Sequence, residues 1–180
     1  MLFIQWQRAS TVYHALLRPL TTPFTEGLAL LLVRVALAGV FWRSGRTKVE
    51  AETLITIKDS AYTLFEYEYT GLPLPAELAT PLATYAEHVF PVLLVLGLAT
   101  RFSAMALLIM TLVIQIFVYP EAWWATHSLW SAMALVLMVR GGGWLTLDAA
   151  LARMMEMIAR KRLVTSAPLE AAKRPPAQVE

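Results

Sequence analysis

Residues 80–101 read TPLATYAEHVFPVLLVLGLATR. The stretch is apolar enough to cross a bilayer, yet its first half carries Glu87 and His88 side by side. A charged group in the hydrocarbon region costs about 3 kcal/mol or more and usually faces a protein interior or a wet cavity. A bare anchor has no use for such a pair. The remainder of the chain is therefore read as the scaffold and the partners of these two residues.

Composition agrees. Of 180 residues, 58% are hydrophobic and 16% charged, against about 45–50% and 25% in soluble domains, and the mean hydropathy is +0.57. These values describe an integral membrane protein of one domain. The chain has no cysteine, which excludes disulfides, thiolate metal sites and iron–sulfur ligation by its own residues. The net charge of +2 comes with basic residues clustered at membrane flanks, so no nucleic-acid partner is implied. The first 20 residues lack an apolar core with a small-residue cleavage site and do not read as a signal peptide.

Working outward, the sequence predicts an all-α bundle of four transmembrane helices over about 26–45, 79–99, 102–119 and 123–140. Residues 1–18 suit an interfacial helix that stops at Pro19. The connection 46–79 is long, acidic and amphipathic; Asp59 or Ser60 could cap a short helix there, although the alternation in LFEYEY leaves a strand open. Pro91, four residues after Glu87, suits a kink. Ser128 and Ala132 form a small-xxx-small pair for close helix contact. Glycines 141–143 end the fourth span, and Thr146 caps an amphipathic helix over about 147–162 with flanking Arg153, Arg160, Lys161 and Arg162. The membrane domain thus covers 1–165, and 166–180 reads as a disordered tail. Arg8, Arg18, Arg101, Arg140 and the run after Arg153 fall on one side, so the positive-inside rule places both termini in the cytoplasm.

Helical periodicity of about 100° per residue puts Arg34, Gly45 and Lys48 on one face of the first span, with Arg43 opposite and free to snorkel. Counting about 1.5 Å per residue sets Glu87 about 12 Å and Arg34 about 16 Å below the outer boundary. Gln115 and His127 lie about one turn in by the same count. The economical arrangement is an Arg34–Glu87 ion pair, with the whole polar set in the outer half of the bundle. Three readings stay open: a network that only fixes helix register, a pocket for a quinone or similar carbonyl ligand, and a metal site. Glu87 and His88 diverge by about 100°, which discourages joint chelation. The candidate ligand-binding residues are Arg34, Lys48, Glu87, His88, Gln115 and His127. No metal ligand and no catalytic residue is assigned.

Three elements resemble the DoxX family of small bacterial four-helix inner-membrane proteins. They are Arg34 followed by Ser44, Gly45 and Lys48; the acid of the second span leading to LGLATR at 96–101; and the glycines followed by LTLD at 145–148. The resemblance covers about residues 28–152. The triglycine stands where relatives more commonly have Gly-Pro-Gly. LFEYEY, MTLVIQIFVYPEAWW and THSLW resemble the branch encoded beside small metal-binding peptide systems. The resemblance implies a membrane subunit linked to redox or oxidative-stress functions, some relatives belonging to a thiosulfate:quinone oxidoreductase. Three functions are expected from it and from the polar set. One is a redox-linked subunit with a quinone-type pocket, quinone being the leading cofactor candidate. Another is a non-catalytic scaffold for a soluble or periplasmic partner. The third is a small-molecule or metal-handling membrane protein. Beyond the lipid bilayer, a homo-oligomer is a further possible association.

Overall fold

A computed structural model of the chain describes Tyr13 and residues 17–172, with side chains described as far as Lys161. The interfacial helix expected over 1–18 falls almost wholly outside the described residues, as do residues 173–180 of the expected tail.

The first helix, α1, spans Pro23–Lys48. Thr22 caps it by accepting a hydrogen bond from the Thr25 amide at 3.2 Å, and Pro23 takes the first-turn position where a missing N–H costs nothing. Its buried side reads Gly27, Leu30, Arg34, Leu37, Ala38, Phe41, Gly45 and Lys48, one helical face as the periodicity predicts. Arg43 is exposed on the other side. The segment after α1 makes a single antiparallel bridge, Val49 with Ile57, and then a short helix α2, Asp59–Tyr67. Helix, not strand, is the outcome here, because Ala61 and Phe65 at i, i+4 are the buried residues. Neither Asp59 nor Ser60 caps it; Lys58 holds the cap position without a side-chain bond.

Helix α3, Ala76–Leu96, continues through Pro81 and Pro91 and stops at Gly97 in the left-handed region, three residues before the expected end. Helix α4 is Thr100–Phe117. A 3-10 turn, Pro120–Ala122, and a π turn, Trp123–His127, lead into α5, Ser128–Arg140. Helix α6 runs Leu147–Ala172, past the point where the sequence suggests disorder. Thr146 caps it, accepting from the Ala149 amide at 3.0 Å.

The neighbours run α1, α3, α4, α5 and back to α1. Leu37, Phe41, Leu94, Leu107 and Leu137 meet at the centre. The small residues at the α5 contact are Ser131 and Ala134, whereas Ala132 is exposed, which corrects the expected Ser128–Ala132 pair. The radial distribution is that of a protein in lipid. Leu32, Leu82 and Val139 are 69%, 66% and 72% exposed, while Thr80, Thr84, Ser103 and Thr111 are wholly buried. Thr80 and Thr111 satisfy their hydroxyls on the carbonyls of Ala76 and Leu107, four residues back. Among the described residues four helices are long and apolar enough to cross a membrane, and the architecture is an all-α membrane bundle.

One end of the bundle carries the acidic connection after α1; the other carries Arg101, Arg140 and α6. At this basic end the α3–α4 turn is locked from outside. Asp148 accepts from the amides of Ala99 and Thr100 at 2.9 and 3.0 Å, serving as the cap that α4 lacks in its own sequence. The Asp148 amide in turn donates to the Gly97 carbonyl at 3.0 Å. Gly97 has φ 68°, and a Cβ there would lie 2.5 Å from Arg34 Nη1 and 2.6 Å from Thr146 Cβ. Gly97→Ala should therefore lose about 2–4 kcal/mol, from backbone strain and overpacking. Gly39, with nothing within 4 Å of its would-be Cβ, is the control: Gly39→Ala should be neutral or stabilising by up to about 1 kcal/mol. Unfolding of both variants in detergent checks the contrast.

Candidate functional site

Glycine at position 45 sets the register between α1 and α3. A Cβ there would approach His88 Cε1 to 2.8 Å and Glu87 Cβ to 3.1 Å, so only a residue without a side chain lets the helices meet at this level. The close approach brings Glu87 against the last turn of α1. Lys48 Nζ donates to Glu87 Oε2 at 2.6 Å and to Ser44 Oγ at 2.9 Å; Ser44 Oγ donates to Glu87 Oε1 at 3.0 Å. Both charged side chains are buried, at 6% and 4% exposure, and the serine completes a closed three-way contact. Beside them, His88 Nδ1 lies 2.7 Å from the Thr84 carbonyl. A carbonyl only accepts, so Nδ1 carries the proton. Nε2 is buried with no hydrogen-bond partner among the described residues, and Trp42 meets the ring edge-on at 5.2 Å between centroids.

Glu87 also borders a cavity of about 280 Å³ between α2, α3 and α4. Its walls are apolar: Phe65, Leu82, Met110 and Val113 are typical. Among the described residues that line it, only Glu87 is charged. Tyr69 stands in the wall, stacked on Phe65 at 4.2 Å. Burial first, and the nearby Glu87 charge second, raise the Tyr69 phenol well above its ordinary range, so it remains a protonated donor at neutral pH. The segment that roofs the cavity is tied down by Tyr119, whose hydroxyl donates to Glu68, and by Tyr85, which donates to the Ile55 carbonyl at 3.0 Å. The bond to Glu68, followed by burial, raises the Tyr119 phenol as well.

The expected polar set divides into three groups. Lys48, Glu87 and His88 come together as described. Gln115 and His127 form a separate pair between α4 and the π turn: His127 Nδ1 donates to Gln115 Oε1 at 2.7 Å, and Gln115 Nε2 donates to the Pro120 carbonyl at 2.7 Å. The π turn rotates His127 inward, beside Trp130 at 5.1 Å. Arg34 belongs to neither group.

The expected Arg34–Glu87 ion pair is not formed. Arg34, fully buried, donates through Nη1 to the Leu94 and Val95 carbonyls at 3.1 and 3.2 Å and through Nη2 to the Leu145 carbonyl at 2.6 Å. Two of these acceptors lie at the C-terminal end of α3, where the helix dipole is negative, and the third lies in the loop before α6. Depth counted from assumed span ends misplaces it. Once Gly45 faces Glu87 and His88 in an antiparallel pair, Arg34 must face the region of Gly97, about 16 Å further along. The sequence reading also overlooked Ser44 and Tyr69 as members of the site. Their signals were the i, i+4 spacings Ser44–Lys48 and Phe65–Tyr69.

A double-mutant cycle separates the two pairings. Glu87→Gln or Lys48→Met alone should cost about 3–5 kcal/mol, and the double change should recover much of it. Arg34→Met combined with Glu87→Gln should add within about 0.5 kcal/mol. Unfolding midpoints of the five variants in detergent give both coupling energies; strong coupling only in the second cycle would overturn the observed pairing.

Comparison with known proteins agrees with this architecture. The sequence profile of the DoxX family matches residues 29–120, and that of a family described as the TQO small subunit DoxD matches residues 76–169. An uncharacterized protein of Haemophilus influenzae is 28% identical over 139 residues, 68% of this chain and 83% of that protein. No solved structure matches the chain. Each family match covers more than half of the 180 residues, and the two together run from α1 into α6. With four bundled apolar helices, the chain is a multi-pass membrane protein that belongs to the DoxX family.

Proposed function

We propose that the chain is a redox-linked membrane subunit that holds a quinone-type ligand in the cavity between α2, α3 and α4, with a ligand oxygen against Glu87. One observation carries this reading: a buried, ion-paired carboxylate borders an otherwise apolar cavity of about 280 Å³. That volume is near the lower end of small-molecule pockets, about 300–1,000 Å³, and suits a flat ring whose apolar tail leaves toward lipid. The DoxD relation supports the same reading, TQO being thiosulfate:quinone oxidoreductase.

A bound quinone supplies two-electron, two-proton carrier chemistry. The chain's own part is to bind and to handle protons. The Tyr69 phenol offers a donor to a carbonyl oxygen, the Glu87 carboxylate accepts from a ring hydroxyl or holds a proton for it, and Lys48, itself outside the cavity wall, balances that carboxylate's charge. Ser44 keeps the carboxylate oriented through either state. Arg34, Gln115 and His127 serve elsewhere in the bundle in this reading. A second reading, a non-catalytic scaffold, draws support from the acidic-end segment, where Ile55 and Tyr67 are 74% and 71% exposed.

Solvent extraction of the purified protein followed by mass spectrometry should find a stoichiometric quinone, and a short-chain quinone should quench the tryptophan fluorescence saturably. Glu87→Gln should weaken that binding about 10- to 100-fold, the worth of a hydrogen bond to a charged group. Ala83→Phe, which fills the cavity from its wall, should abolish it in a protein that still folds. An empty wild-type protein that does not bind the quinone and co-purifies with a soluble partner would replace this reading with the scaffold.

The proposed setting is a bacterial inner membrane with both termini in the cytoplasm. Arg101, Arg140, Arg153, Arg160 and Lys161 gather at one end, and Glu50, Glu52, Glu66, Glu68 and Glu121 at the other. Reporter fusions after Ser60 and after Arg162 should report opposite sides of the membrane, the first periplasmic; both on one side would overturn the topology.

A further inference from the structure

At the basic end, remote from the Glu87 cavity, a second and larger cavity of about 660 Å³ opens between the start of α4 and the glycine loop after α5. Glycines 141, 142 and 143 line it. Gly142 is pressed against Thr146 and Thr100, where a Cβ would lie 2.5 and 2.8 Å from side-chain atoms, and so could not be replaced without moving them. Two guanidinium groups line the cavity, Arg101 and Arg140. Arg101 uses one donor on the Val139 carbonyl at 3.3 Å and has no acidic partner among the described residues. Arg140 turns one edge to Glu26, leaving Nη1 available. The carboxylate in the wall, Asp148, does not oppose an anion strongly. Its oxygens accept from the Ala99 and Thr100 amides and the Thr100 hydroxyl, and buried Arg34 lies within its field.

We propose that this cavity binds the phosphate headgroup of an anionic phospholipid, held by Arg101 and Arg140. The lipid source, as opposed to a free oxyanion, follows from the walls. Phe102 and Trp144, 57% and 40% exposed, flank the arginines where the membrane spans end and give acyl chains an apolar surface that a free anion would not use. Helix α6 leaves from the same cavity with Leu147, Leu151, Met154 and Ile158 exposed along one stripe and Arg153, Arg160 and Lys161 around it. Basic pockets between membrane helices and basic amphipathic helices share this partner chemistry, since a guanidinium pairs with phosphate in two parallel hydrogen bonds.

The test uses the full chain in a neutral detergent, with phosphatidylglycerol, phosphatidylcholine or inorganic phosphate as probes. Native mass spectrometry should retain one phosphatidylglycerol, and a saturating amount should raise the unfolding midpoint by roughly 5 °C. Phosphatidylcholine and phosphate should do neither. Arg101→Gln with Arg140→Gln should lose the selective binding, whereas the paired Lys substitutions, which keep the charge, should retain most of it. Glu26→Gln, which frees Arg140, should retain it in full. Equal retention of phosphatidylcholine, or a full shift with phosphate alone, would overturn the assignment; this comparison of probes on the wild-type protein decides even if the Gln variant does not fold.

Discussion

Among the described residues three charged side chains lie deep in a bundle built for lipid: Arg34, Lys48 and Glu87, exposed by 0%, 5% and 3%. An isolated charge in such a place costs several kcal/mol, so each must find its compensation within the fold. The rest of the structure follows from how they do so. Lys48 and Glu87 neutralise one another near the acidic end; Arg34 is taken by helix-end carbonyls near the basic end. Both solutions join α1 to α3, and they act about 20 Å apart along α1. Two fixed points at that separation leave the helix pair no freedom to slide.

Glycine makes each fixed point possible. Gly45 admits His88 and Glu87 to the α1 surface, and Gly97 admits the Arg34 guanidinium to the end of α3 while ending that helix in a left-handed turn. The bonds at both points are then buried, a condition under which hydrogen bonds to charged groups contribute most. The same close packing leaves Glu87 with one side against Ser44 and Lys48 and the other on the apolar cavity. Structural pairing and the cavity wall therefore share one carboxylate. A change in its protonation would be felt at once in the α1–α3 contact and in the cavity.

The two ends of the bundle are finished by different means. At the acidic end, the short amphipathic α2 lies over the cavity and is fastened by side chains reaching across, Tyr119 to Glu68 and Tyr85 to Ile55. At the basic end the fastening converges on Asp148. Its carboxylate accepts from the Ala99 and Thr100 amides and its own amide donates to the Gly97 carbonyl, which ties α6 to the α3–α4 turn. Single ties can be released one at a time; bonds that converge on one residue are released only together. The acidic end is accordingly the more adaptable one, and it is the end that carries the apolar cavity.

Membrane class, the number of spans and the buried face of α1 were legible in the sequence, because hydropathy and helical periodicity are local properties carried by consecutive residues. The family resemblance was legible too, and the residues that carried it turn out to be contact residues: Arg34, Ser44, Gly45 and Lys48 on α1, and the segment 145–148 at the α3–α4 turn. Glu87 and His88 could be singled out as interior residues because charge in a span is costly wherever the helix sits. Their partners could not be named. Which cation meets Glu87 depends on the register of α1 against α3, and that register is set by one close approach at Gly45, a contact between residues more than forty positions apart. Depth arithmetic has no access to it, and so points to Arg34 where the register selects Lys48. The cavity was equally out of reach, since its walls come from three helices and only their packing leaves a space. Sequence decided what had to be buried; tertiary structure decided against what, because burial is a property of each helix alone and pairing is a property of two.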